Sequence, residues 1–199
     1  MMEIVEQIPK EIFVSAHKQA LEKITRRDKH AYLVGMHTAN MKILNKVRKT
    51  IVPPMQVYVS EITEKGVVSS NIEYRIQYNH STVPLGHVYG GSGYLCLGNI
   101  PVPAFVSPYN LMLPLETLFL YNDQNVNHGN ASLKLSPKQD SNVRELARRY
   151  GLQVNTDNTN YIPYDTLWDL GAQLLELYEK SEAFKIADQL FNIVFERKD

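Results

Sequence analysis

The chain has one cysteine, Cys96, in 199 residues. No disulfide can form within it, and a lone thiol fits a reducing compartment. Surplus charge is missing too. Lysine plus arginine number 21, and so do aspartate plus glutamate. That balance argues against a surface dedicated to nucleic acid or to anionic membrane and leaves room only for a local basic patch. No apolar run approaches the ~20 residues needed to cross a bilayer. The opening stretch Met1-Met2-Glu3-Ile4-Val5-Glu6-Gln7 has neither the basic nor the apolar region of a signal peptide. The expectation is a soluble, cytoplasmic protein with no nucleic-acid and no membrane partner.

Several kinds of chemistry are missing in the same way. Gly90-Gly91-Ser92-Gly93 is not followed by Lys-Ser/Thr and opens onto a strand, so it offers a phosphate neither a Walker loop nor a helix N-terminus. The six histidines have no zinc-motif spacing, and a metal centre would have to combine Cys96, His87 and His128. No pair of carboxylates stands at a defined spacing. Neither a metal nor a cofactor is expected.

What is present is ordinary globular composition, 44% hydrophobic and 21% charged, with enough length for one domain spanning 1–199 and a proper core. Pro9 to Ile24 carries Ile12, Ala16, Ala20, Leu21 and Ile24 at helical spacing. Arg26 to His30 is a charge run that interrupts it. Ala31 to His37 reads as a short strand. Thr38 caps an expected helix through Lys49, with Ile43, Leu44, Val47 and Ile51 on one face and Lys42, Lys46, Arg48 and Lys49 on the other. Met55 to Ser60 and Ile72 to Tyr78 alternate as strands, joined through a turn at Glu64-Lys65-Gly66. An antiparallel meander is the simplest topology for them. The proline-rich stretch Asn99 to Pro108 can be neither a central strand nor a helix interior. Further expected elements are a short helix at Pro114–Leu120, an Asn-rich loop at Tyr121–Asn130 and an extended segment at Ala131–Leu135. A helix at Ser141–Tyr150 with Gly151 at C′ follows, then a loop at Asn155–Asn160. Two amphipathic helices close the chain, one starting at Asp165 or Thr166 and one carrying Phe184, Ala187, Leu190, Phe191 and Val194.

The most informative stretch is His87 to Gly98. If Gly90–Gly93 form a tight hairpin loop, Tyr89 faces Tyr94, Val88 faces Leu95 and His87 faces Cys96. Alternation then puts His87, Tyr89, Tyr94 and Cys96 on one face and Val88, Leu95 and Leu97 on the other. Directly opposed residues have Cβ atoms about 4.5–5.5 Å apart. An imidazole beside a thiol is the arrangement that makes a cysteine nucleophilic. The same Tyr-Leu-Cys-Leu strand equally suits a buried structural thiol. A cysteine hydrolase using Cys96 with His87 or His128 and an asparagine is chemically allowed, although no protease signature surrounds the cysteine.

His87-Val88-Tyr89 … Gly93-Tyr94-Leu95-Cys96-Leu97 resembles the active-site segment of ubiquitin-conjugating enzymes. Those read His-Pro-Asn, an aliphatic residue and Tyr, a short Gly-containing turn, then an aliphatic residue and Cys-Leu. The proline-rich run, the helix at Pro114–Leu120 and the loop ending Asn130-Ala131 follow in the same order. The Gly-x-x-Cys-Leu-Gly flavour is closer to a divergent bacterial branch, similar to the protein B family of PRTRC-type gene systems. The likeness covers Pro84 to Ala131, about a quarter of the chain. It departs from the pattern in three places. His87 stands where the asparagine would be and Leu85-Gly86 replace His-Pro, the turn is one residue longer, and no tryptophan follows the cysteine.

The resemblance implies an α+β domain: N-terminal helices, an antiparallel β-meander, an active-site hairpin and C-terminal helices. It also implies an activity, namely accepting a ubiquitin-like modifier from an adenylating enzyme as a Cys96 thioester and passing it to an amine on a protein substrate. Cys96 would be the nucleophile, His87 would activate it or bind the oxyanion, and His128 with the Asn127/Asn130 loop would line the approach of the amine. Two alternatives stay open. One is a non-catalytic adaptor of the same fold that docks a partner through the basic helix, and the other is the small cysteine hydrolase.

Overall fold

The computed structural model describes residues 23–26, 29–60, 72–96, 112–120 and 132–196. The protein is α+β. The strands among the described residues are β1 (Lys23–Arg26), β2 (Lys29–Val34), β3 (His37–Ile43), β4 (Lys46–Val52), β5 (Met55–Ser60), β6 (Ile72–Ile76), β7 (Ser132–Lys134) and β8 (Tyr161–Pro163). The helices among the described residues are α1 (Leu113–Leu120), α2 (Pro137–Arg149), α3 (Tyr164–Leu177) and α4 (Lys180–Val194). None of them is long and apolar enough to cross a membrane.

The main sheet is an antiparallel meander in the order β1-β2-β5-β6. β3 and β4 pair separately, yet they belong to the same ribbon as β2 and β5. Val34 pairs with Met55, and beyond Gly35–Met36 and Pro53–Pro54 the ladder resumes at His37 with Val52 without a register slip. The two prolines have no N–H to donate, so hydrogen bonding lapses there and the ribbon divides into two sheets.

This ribbon corrects the expected helix over Thr38–Lys49. Helical spacing of Ile43, Leu44, Val47 and Ile51 competes there with a period of two. Ala39, Met41 and Ile43 are buried while Asn40 is exposed. The β-branched residues Ile43, Val47, Thr50, Ile51 and Val52 also suit a pleated surface better than a helix. Leu44 and Asn45, at φ 49° and 64°, form a two-residue turn of the type that matches strand twist. Likewise Ile24, the expected end of the first helix, lies in β1, and Arg26 pairs with Lys29 to close the β1–β2 hairpin. The rest of that helix falls outside the described residues, as do the Glu64–Gly66 turn, the proline-rich stretch and the Asn-rich loop.

Later elements follow the expectation closely. β5 and β6 occupy the two alternating stretches, although β6 stops at Ile76, where Asn79 and His80 turn through left-handed φ of 58° and 54°. α2 begins four residues early because Ser136 and Gln139 form a capping box around Pro137. Gly151, at φ 68°, ends the helix as expected. β8, pairing with β7, was not expected.

The register sorts the main sheet into two faces. Tyr32, Val34, Met55, Val57, Ile72, Tyr74 and Ile76 point into one core with α1, α3 and α4. α3 is pinned to β4 through polar contacts. Thr50 Oγ1 donates to the Trp168 carbonyl at 2.6 Å. The buried Asp169 carboxylate accepts from Arg48, from Asn155 Nδ2 at 2.9 Å and from Gln173 Nε2 at 2.8 Å.

Two ionisable groups in this core work in opposite directions. Burial against Tyr74 pushes the Glu116 carboxyl on α1 up to about 7. Desolvation lowers His37, and its bond to the Gly35 carbonyl at 2.9 Å only partly offsets that. Glu116 binds a proton in the folded state that the unfolded chain has already released, so its stabilisation is full below about 4.5 and is lost as pH rises through about 7. His37 has the opposite sign: stability falls as pH drops below about 6.5. Glu116→Gln leaves the His37 contribution in place. The variant is therefore expected to gain roughly 2–3 kcal/mol on wild type between about pH 5 and about pH 8 in chemical denaturation. Equal pH profiles would contradict this placement of the carboxyl.

Candidate active site

The Gly90–Gly93 hairpin takes the register its sequence predicts. Val88 bridges Leu95, the Tyr89 N–H donates to the Tyr94 carbonyl at 2.9 Å, and the Cys96 N–H donates to the His87 carbonyl at 2.7 Å. Val88 is fully buried and Leu95 packs on the core. Cys96 and His87 are half-buried cross-strand neighbours, and by alternation their side chains leave the opposite face. The structure therefore brings together two of the sequence-predicted site residues. His128, Asn127 and Asn130 lie outside the described residues, as do 97–111 immediately after the cysteine.

Several supports fix this hairpin. Its second arm adds to the sheet: Tyr94 bridges Glu73, and the Tyr74 N–H donates to the Gly93 carbonyl at 3.0 Å. Gly93 is at φ 79°, and a Cβ there would come within 2.9 Å of the Tyr74 carbonyl oxygen. Only glycine satisfies both constraints. On the first arm, Trp168 Nε1 of α3 donates to the Pro84 carbonyl at 3.0 Å, just before Leu85-Gly86-His87. Trp168 also packs on Phe119 of α1, with ring centroids 6.3 Å apart.

Sequence reasoning missed the residue that organises the loop, Arg75. It stands on β6 on the same face as Glu73 and Tyr94, where it reads as an ordinary exposed charge. Its Nε donates to Glu73 Oε1 at 2.7 Å. Its Nη2 donates to the Ser92 carbonyl at 2.7 Å and to that of Gly91 at 3.4 Å, while Nη1 reaches the His80 carbonyl at 3.3 Å. Thr82, opposite Arg75 in the ladder, donates through Oγ1 to the Gly90 carbonyl at 3.2 Å. Glu73, two residues before Arg75 and on its face, is visible in the sequence, but that it is a buried acid calling for a cation is seen only in the structure.

Two shallow clefts, of about 290 and 360 Å³, flank Ile193 on α4 and do not touch the hairpin. No group of three or more His, Cys, Asp or Glu among the described residues could hold a metal ion. Comparison with protein-family models, with curated proteins and with solved structures found no match.

An outward, half-buried thiol is expected to react with iodoacetamide in the folded protein. The rate should lie within about tenfold of a free thiol, and His87→Ala should slow it. Peptide mass mapping reads this at Cys96. Labelling only after denaturation would return the cysteine to a structural role.

Proposed function

We propose that this chain is a ubiquitin-conjugating-like carrier, of the divergent kind similar to the PRTRC protein B family. In this reading it accepts a ubiquitin-like modifier from an adenylating enzyme as a Cys96 thioester and hands it to an amine on a protein substrate. One observation carries the reading. Cys96 is the cross-strand neighbour of His87 in a hairpin whose Val88 and Leu95 pack on the core, and the thiol is only partly buried. The order of elements supports it. A four-strand antiparallel meander leads into the cysteine hairpin, then a short helix and C-terminal helices.

The chemistry asks for little more than presentation. Thiolate attacks the modifier's activated carboxyl, and the thioester that forms has a good leaving group when an amine attacks in turn. In this reading His87, across the ladder, takes the thiol proton or donates to the developing oxyanion. The adaptor alternative rests on a basic helix, and the lysines of that stretch lie instead on the β3–β4 hairpin.

Mixing the chain with a candidate modifier, its adenylating enzyme, ATP and Mg²⁺ tests the reading. The expected product is a covalent adduct that thiol reductant removes and that does not form without ATP. An adaptor would bind without an adduct, and a hydrolase would cleave a modifier conjugate in the absence of ATP.

A further inference from the structure

The β3–β4 hairpin carries a surface that the thiol chemistry does not use. No aspartate or glutamate occurs between Asp28 and Glu61, while Lys29, Lys42, Lys46, Arg48 and Lys49 all fall in that stretch of a chain with zero net charge. Arg48 is engaged with Asp169 and Glu176. By the β3–β4 register, Lys42, Val47 and Lys49 share the face turned away from that contact, with Lys46 beside the turn. Val47 is 63% exposed, and Leu44, at the tip of the turn, is 50% exposed.

Leu44 is the informative residue. It sits at φ 49°, a conformation that costs a side chain with a Cβ roughly 1–2 kcal/mol and that glycine or asparagine would fill more easily. Nothing in the core compensates, since the side chain points into solvent. Lysines at an exposed ribbon edge also discourage edge-to-edge pairing. That accounts for Lys42 and Lys49 but not for two aliphatic residues projected between lysines.

We propose that this hairpin tip docks on an anionic phospholipid surface, with Leu44 and Val47 entering the headgroup boundary and Lys46 and Lys49 facing the lipid phosphates. The composition favours a bilayer over a protein partner or nucleic acid. Protein hot spots draw on aromatic residues and arginine and are poor in lysine. Nucleic-acid surfaces use arginine forks and stacking rings. The tip offers no ring, and its one guanidinium is held by two carboxylates. Lysines around a convex aliphatic tip suit the diffuse attraction of anionic headgroups, each worth about 1 kcal/mol near the surface, with the apolar atoms removed from water.

Co-sedimentation of the full chain tests this, using phosphatidylcholine vesicles with and without about 30% phosphatidylserine at low salt. The bound fraction should rise about tenfold with phosphatidylserine. It should fall about tenfold again in Lys46→Glu/Lys49→Glu and several-fold in Leu44→Asn. Asparagine suits the left-handed turn, so Leu44→Asn should melt no lower than wild type and its loss of binding cannot be blamed on unfolding. Leu44→Trp should be quenched by brominated acyl chains while the buried Trp168 is not. Four outcomes overturn the proposal: no dependence on phosphatidylserine, binding unchanged in both variants, an unquenched Leu44→Trp on bound protein, or equally tight binding to duplex DNA or polyglutamate.

Discussion

Gly171→Ala is expected to destabilise the protein by about 2–4 kcal/mol, although the same change in an exposed helix would stabilise by roughly 1 kcal/mol. The sign reverses because of what lies opposite. Gly171 faces β4 from the middle of α3, and a Cβ there would stand 2.5 Å from Thr50 Oγ1 and 3.1 Å from the Ile51 backbone nitrogen. Thr50 cannot swing aside freely, because its hydroxyl is bonded to the Trp168 carbonyl. Backbone cannot yield without moving the strand. The change should lower the melting temperature by about 5–15 °C, and Gly171→Val should do worse. The damage reaches the candidate site, because α3 also carries the Trp168 indole that holds the Pro84 carbonyl. A neutral or stabilising Gly171→Ala would mean that α3 and β4 do not pack as described.

The second large effect is at Arg75. Its guanidinium ties Glu73 to two carbonyls of the glycine loop, so Arg75→Ala removes the cation beside a buried acid and frees the loop together. A cost of about 3–4 kcal/mol in stability is expected. Formation of the Cys96 adduct should fall about 100-fold, the penalty typical of a displacement near 1 Å at a reacting group. Arg75→Lys should recover part of the stability and little of the adduct rate, because an ammonium cannot span Glu73 and Ser92 with a planar fork. Single-turnover charging measured beside thermal melting separates the two. Equal losses in both variants would make the guanidinium geometry irrelevant.

These two residues mark where sequence reading reached its limit. The hairpin register was legible because four residues fit one loop and alternation did the rest, so Val88 and Leu95 fell inward and His87 and Cys96 outward. The strands at Met55–Ser60 and Ile72–Ile76 and helices α1, α3 and α4 were legible from periodicity alone. The β3–β4 ribbon was not. Its apolar residues fit both periods, and the turn uses Leu44-Asn45 instead of a glycine pair, so the strongest local signal for a hairpin was missing. Gly171 and Arg75 were opaque for another reason. Their roles depend on Thr50 and Ser92, and only tertiary placement brings these pairs together.

The central claim is that Cys96 is the acyl carrier, and intact mass measures it most directly. After incubation with modifier, adenylating enzyme, ATP and Mg²⁺, the wild-type chain should gain the mass of one modifier less one water and lose it again to thiol reductant. Cys96→Ser should gain nothing or hold the same mass against reductant as an oxyester, and Cys96→Ala should gain nothing. A reductant-sensitive adduct on Cys96→Ala, or a wild-type adduct that resists reductant, would contradict the account.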